Sequence, residues 1–157
     1  MTVQGRILQA AFWFLLIVGL TACSGGPSPI KIKGNIETSH DVNPDHAGRP
    51  SPVVVRVYQL IAPGPFLNAD FFDLYDSANA TLGQNLIIWE EFEFQPGETR
   101  EYNTRFDSAT KYVGVIAAYQ DLENAHWREL VTLPDKKKVH LNIKLDSLTV
   151  SVSTGKR

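Results

Sequence analysis

The sequence predicts an all-β fold, a sandwich or barrel of about eight strands with one short helical insertion. Two observations predict the strands. Apolar and polar residues alternate in segment after segment, and β-branched or aromatic runs recur at regular spacing with turn residues between them. A third observation predicts the helix: one stretch alone switches from a period of two to helical spacing.

The strands read in order from Ile30. Ile30, Ile32 and Ile36 alternate with Lys31, Lys33 and Glu37. Val53–Leu60 (VVVRVYQL) reads as a strand buried on both faces apart from Arg56. In Leu86–Phe94, Ile88, Phe92 and Phe94 share one face, and Glu91 and Glu93 the other. Pro96-Gly97 reads as a type II turn, because Pro presets φ and Gly accepts φ > 0. Thr99–Phe106 is then the expected return strand. Lys111–Tyr119 reads as a further buried strand and Arg128–Leu133 as a shorter one. Val139, Leu141, Ile143 and Leu145 alternate with His140, Asn142, Lys144 and Asp146, and Leu148, Val150 and Val152 close the pattern. The helical segment is Asn68–Ala80, where Leu67, Phe71, Leu74 and Tyr75 fall at i, i+4, i+7 and i+8. Asn68 is the expected N-cap, and Asp70 suits the first turn.

The segment before Ile30 is excluded from the fold. Ala10–Leu20 is an apolar run of 11 residues behind Arg6. A helix needs about 20 residues to cross a hydrocarbon core, so the run fits a secretory signal better. Leu20-Thr21-Ala22-Cys23 follows, with the only Cys of the chain, and resembles the lipobox of bacterial lipoproteins. The expectation is that residues 1–22 are a signal peptide and that Cys23 carries a covalent lipid and becomes the N-terminus. Residues 23–29 are the lipidated end and a short tether, 30–153 the sandwich, and 154–157 a tail. Ser24–Pro29 spans about 20 Å at most when extended, so the domain is held close to a membrane. The mature chain has 135 residues and no second Cys. It must stand on its core without a disulfide, and that length suits one domain.

Charge and motifs exclude several classes. The mature chain carries 14 basic and 17 acidic residues, a formal charge of −3. No dense basic stripe marks a nucleic-acid partner. Lys136-Lys137-Lys138 is expected to be a solvated turn. No G-x-S-x-G, H-E-x-x-H, G-x-x-x-x-G-K-[ST] or G-x-G-x-x-G occurs. His40, Asp41, Asp45 and His46 share a loop, but their spacing matches no ligand pattern. Glu90, Glu91 and Glu93 read as a solvated strand face. The expectation is no enzyme, no cofactor beyond the lipid, no metal and no small-molecule substrate.

The feature that stands out is the connection His40–Pro52 (HDVNPDHAGRPSP). Thirteen residues is long for a connection in a compact domain, and long loops are functional or disordered. Its prolines limit its freedom and so reduce the cost of ordering on binding. Loop positions are expected to carry few core contacts.

Several segments together resemble one family, the type VI secretion system outer-membrane lipoproteins (TssJ, SciN-like). They are the lipobox at Cys23; Asn43-Pro44-Asp45; Arg49-Pro50-Ser51-Pro52 leading into Val53–Leu60; Phe66; Ala69–Tyr75; Leu82-Gly83; Pro96-Gly97; Tyr112-Val113-Gly114-Val115; and Trp127-Arg128. The resemblance implies a transthyretin-like β-sandwich at the periplasmic face of the outer membrane. It implies binding to the periplasmic domain of the large inner-membrane subunit, TssM, which fixes the complex to the outer membrane. It also implicates the loop between the first two strands. The expected contact residues are Asn43, Asp45 and Arg49, with Pro44 and Pro50 shaping the loop and Arg49 foremost. Ser24 beside Cys23 resembles lipoproteins sent to the outer membrane. Trp127 and Arg128 are assigned to structure. A ligand- or glycan-binding lipoprotein is the rival and needs exposed aromatics, for which Trp89 and Trp127 are the mature candidates. A hydrolase of the same shape would need His and Arg clustered on the sheet.

Overall fold

A computed structural model describes residues 27–155; the leader, Cys23, Ser24 and the last two residues of the tail lie outside the described residues. The described residues form ten strands and two α-helices. The strands are β1 (Ile30–Lys33), β2 (Asn35–Thr38), β3 (Val53–Leu60), β4 (Leu86–Phe94), β5 (Thr99–Glu101), β6 (Thr104–Phe106), β7 (Tyr112–Ala117), β8 (Arg128–Thr132), β9 (Lys138–Leu145) and β10 (Val150–Gly155). The helices are α1 (Gly64–Asn68) and α2 (Phe71–Leu82), followed by a 3₁₀ turn at Gly83–Asn85.

The ten strands follow eight paths. β1 and β2 hold a single antiparallel register with β6 and β5, Ile32 facing Thr104 and Asn35 facing Glu101. They also hold a single parallel register with β9, Ile32 facing Val139 and Ile36 facing Ile143. The break falls at Gly34, where a Cβ would lie 1.8 Å from the Leu141 carbonyl oxygen. Only glycine lets the two backbones come that close. β10 lies antiparallel on the other edge of β9 and ends at Gly155, two residues past the expected limit of the sandwich. The second sheet has the order β4-β3-β7-β8 and is antiparallel throughout.

One connection differs from expectation. Thr99–Phe106 does not return beside β4; it crosses to the other sheet and pairs with β2 and β1. The Pro96-Gly97 turn is present, with Gly97 at φ +75°. Its backbone is tied to the end of β2 instead. Gly97 N–H donates to the Ser39 carbonyl (3.0 Å), Thr38 Oγ1 donates to the Gln95 carbonyl (2.7 Å), and Glu98 N–H donates to Thr38 Oγ1 (2.9 Å).

Two cores result, one on each face of the second sheet. Between the sheets lie Ile32, Ile36, Val55, Val57, Phe94, Phe106, Val113, Val115, Leu141, Ile143 and Leu145. On the outer face, Tyr58, Leu60 and Ile116 pack against Phe66, Phe71, Leu74 and Leu82 of the helices. This explains why Val53–Leu60 reads as buried on both faces: one face meets a sheet, the other a helical layer. Ile88 departs from its expected core face and is 53% exposed. The helical segment is two helices. Asn68 ends α1, and the cap of α2 is Asp70, whose Oδ1 accepts from Asp73 N–H at 2.9 Å. An aspartate three residues ahead of a free N–H satisfies it directly, which corrects the expected cap at Asn68.

The sandwich has two distinct ends. The tether enters at Ile30, beside Phe106 of β6 and the start of β9. The other end gathers the connection after β2, the turn at Pro96-Gly97, the chain leaving β7, and the β9–β10 turn. The path Ile30–Thr38 separates them by about 25 Å at the usual strand rise.

Candidate functional site

The loop after β2 is built on two buried residues. Val42 is fully buried, and its carbonyl accepts from Ser51 N–H at 3.1 Å, which closes the base of the loop. Asn43 is 2% exposed and takes a left-handed backbone, φ +50°. Asparagine tolerates that conformation better than most residues. Its Nδ2 donates to the Pro52 carbonyl at 2.6 Å, and its Oδ1 accepts from Gln120 N–H at 2.7 Å. Its own N–H donates to the Ser147 carbonyl at 2.8 Å. One residue, through its side chain and its own N–H, thus ties three connections together. The expectation of few core contacts holds for the tip but not for the base. Asn43, expected as a contact residue, is buried, and its side-chain polar atoms are bonded inside the protein, where they position the loop.

Beyond Asn43 the chain makes a compact turn. Asp45 Oδ1 accepts from Ala47 N–H (2.8 Å) and Arg49 N–H (2.9 Å). Asp45 N–H donates to the Arg49 carbonyl (2.8 Å), and Gly48 N–H to the Asp45 carbonyl (2.8 Å). Gly48 supplies φ +73°, a conformation that favours glycine. The Arg49 guanidinium grips Asp45 Oδ2 through Nε at 2.8 Å and Nη2 at 2.7 Å. These bonds hold the Asp45 carboxyl below its ordinary value of 3.8. The Arg49 side chain remains 79% exposed while that of Asp45 is 20% exposed. Arg49 is therefore presented to solvent in a fixed orientation. Pro44 is half-buried, and Pro50 is exposed with His46, Ala47 and Gly48 at the tip.

The structure adds residues that the loop sequence does not contain. Gln120, Asp121 and Leu148 join Pro44, Asp45 and His46 around a shallow cleft. They come from the β7–β8 and β9–β10 connections. Nothing local in sequence links them to residue 43, and Gln120 is 77 positions away.

The other sequence candidates are structural in their surroundings. Arg128 Nη1 donates to the Ala69 carbonyl (2.7 Å) and the Phe66 carbonyl (3.3 Å), holding the end of α1. Trp127 is half-buried and meets Phe71 edge-on at 5.3 Å. Trp89 lies beneath the Arg56 guanidinium, 4.4 Å from ring centre to carbon, and packs on the helical core. Neither ring is laid open as a glycan platform. Glu91 pairs with Arg56 at 2.6 Å, and Glu90 accepts from the Tyr102 hydroxyl at 2.5 Å. Among the described residues, no three His, Cys, Asp or Glu side chains gather as metal ligands would.

Fold and site together define a class: a small two-sheet sandwich, one sheet covered by helices, with a braced loop at one end. Comparison with known proteins gives the family. Residues 30–148 match the family model described as Type VI secretion lipoprotein, VasD, EvfM, TssJ, VC_A0113, and the chain belongs to that family. It is 32% identical to the T6SS lipoprotein TssJ1 from Pseudomonas aeruginosa, with a TM-score of 0.78, covering 82% of this chain and 98% of that one. It is 25% identical to Serratia marcescens Lip, a membrane bound component of the Type VI Secretion System (TM-score 0.73; 78% of this chain, 96% of that one). It is also 26% identical to a chain of the structure described as the T6SS protein TssM C-terminal domain from EAEC (TM-score 0.65; 78% and 97%). No curated protein matches. The family is one of membrane-bound lipoproteins of this secretion system, not of enzymes.

Proposed function

We propose that this lipoprotein is held by lipid on Cys23 at the periplasmic face of the outer membrane. There it binds the periplasmic domain of the large inner-membrane subunit, TssM, through the His40–Pro52 loop. The observation that carries the reading is the placement of that loop. It sits at the end of the sandwich opposite the tether, braced from beneath by Val42 and Asn43, with Arg49 fixed and exposed at its tip. An anchored domain whose linker spans about 20 Å cannot reach across the periplasm, so its partner comes to the end that faces away from the membrane. A braced loop loses little freedom on binding, which favours affinity. Arginine at such a tip is a frequent hot spot. The match to a chain in a TssM domain structure supports the same pairing.

The test alters only the exposed tip. Residues 46–49 are replaced by a Gly/Ser segment of equal length, leaving Val42, Asn43 and Asp45 in place. The affinity for the purified TssM periplasmic domain and the melting temperature are measured. The expected result is weaker binding, with faster dissociation and little loss of stability. Wild-type affinity in a folded variant would put the docking surface elsewhere.

A further inference from the structure

The end that receives the tether carries a row of cations the fold does not neutralise. Lys31 faces Arg105 across the β1–β6 pair and Lys138 across the β1–β9 pair. Each is exposed and each precedes or follows a buried inward residue, Ile32, Phe106 or Val139. The three side chains therefore stand side by side on the outer face of the first sheet. Lys136 and Lys137 extend the row through the exposed β8–β9 turn, and Lys31 N–H donates to the Lys137 carbonyl at 2.8 Å. Two acids lie at this end. Asp107 is engaged by Ala109 N–H at 2.7 Å, and Asp135 is exposed in the turn. Among the described residues, none of the five cations forms an ion pair with a carboxylate. Like charges placed directly opposite on a sheet are unfavourable, and the mature chain as a whole is acidic. A cationic row gathered at one end of an acidic chain calls for an anionic surface.

The tether indicates which surface. Ser28 and Pro29 line the same shallow hollow as Lys31, Arg105, Lys137 and Lys138. Cys23 lies six residues before Pro29. We propose that this row rests on the anionic phospholipid headgroups of the membrane that holds the lipid anchor. It thereby sets which end of the sandwich faces the lipid. This rests on reading Cys23 as the point of lipid attachment. The anchor supplies proximity. The cations supply orientation, and they act within about a Debye length of the charged surface.

The test removes the anchor so that the row acts alone. Residues 23–157 carrying Cys23→Ser are mixed with phosphatidylcholine vesicles, with and without phosphatidylglycerol. Partition is read by flotation. Binding is expected to vesicles containing phosphatidylglycerol only and to fall as salt is raised. The combined Lys31→Gln, Arg105→Gln and Lys138→Gln variant should lose it by on the order of a hundredfold. Should that variant fold poorly, Lys136→Gln with Lys137→Gln, both in an exposed turn, should lower partition by more than tenfold. Equal binding to both vesicles, or full binding by a folded variant, would overturn the proposal. Palmitate labelling of wild-type chain tests the anchor separately. An unlabelled Cys23 would remove the anchor reading and leave the vesicle result standing.

Discussion

Asn43 meets three demands at once: a left-handed backbone, a donor for Pro52 and an acceptor for Gln120. Two substitutions separate them. Asn43→Ala takes the partner from two part-buried backbone groups, the Pro52 carbonyl and the Gln120 N–H, and keeps a side chain at positive φ. A loss of about 3 kcal/mol is expected. Asn43→Gly leaves the same groups unpaired but relieves the backbone, so it should cost about 1 kcal/mol less. Denaturant melts of both decide it; equal losses would show that the backbone conformation contributes nothing. Asp45 makes a second prediction. Its carboxyl is held below 3.8 by Arg49, so it binds its proton more weakly in the folded chain than in the unfolded one. Its contribution to the turn is present in full above the ordinary carboxylate value. It is lost as pH falls through the lowered one. The Ala47 and Arg49 amide signals, both bonded to Asp45 Oδ1, should move together on acidification below pH 3.8 while core amides stay put. Independent titration of the two signals would show that Asp45 does not organise the turn.

At the scale of elements, alternation made the strands legible, because inward residues such as Val139, Leu141, Ile143 and Leu145 meet a single core. Helical spacing likewise marked Phe71, Leu74 and Tyr75. What pattern could not show was partnership. Thr99–Phe106 reads correctly as a strand path, yet its sheet is chosen by bonds from Thr38 and Ser39, some 60 residues earlier. The cap moved from Asn68 to Asp70 because both can cap and only local geometry selects one. The loop was legible from length and proline content. Its brace was not, since the Gln120 amide is remote in sequence. Helix α1 depends on another remote contact: Phe66 is fully buried over Gly114 of β7, where a Cβ would lie 2.6 Å from the ring. Gly114→Ala should therefore push the ring and its helix outward and cost about 1–3 kcal/mol. Phe66→Ala empties the same space and should cost about 3–5 kcal/mol. Because the two residues touch, the double variant should lose less than the sum of the single losses. Additive losses in denaturant melts would mean that the ring and the glycine do not share the space.

At the scale of the whole molecule, the two proposed contacts fall at opposite ends of the sandwich. The central strands run from one end to the other: β1 and β2 carry the chain from the tether to the loop, and β10 brings it back from the β9–β10 turn to Gly155 beside His140. A rigid body about 25 Å long therefore separates the surface proposed to face the membrane from the loop proposed to meet the partner. The two contacts should then leave separate footprints in amide hydrogen exchange. Binding of the TssM periplasmic domain should protect residues 44–50 together with Gln120, Asp121 and Leu148, which share one cleft. Binding to phosphatidylglycerol vesicles should protect Lys31, Arg105 and the turn at 134–138 and leave the loop unchanged. Because the core between them is close-packed and no hinge is needed, either ligand should bind as well in the presence of the other. A coupling factor near one is the expected result of titrating one against the other. Protection of residues 44–50 by vesicles alone would place the loop on the membrane side. That would reverse the orientation on which the division rests.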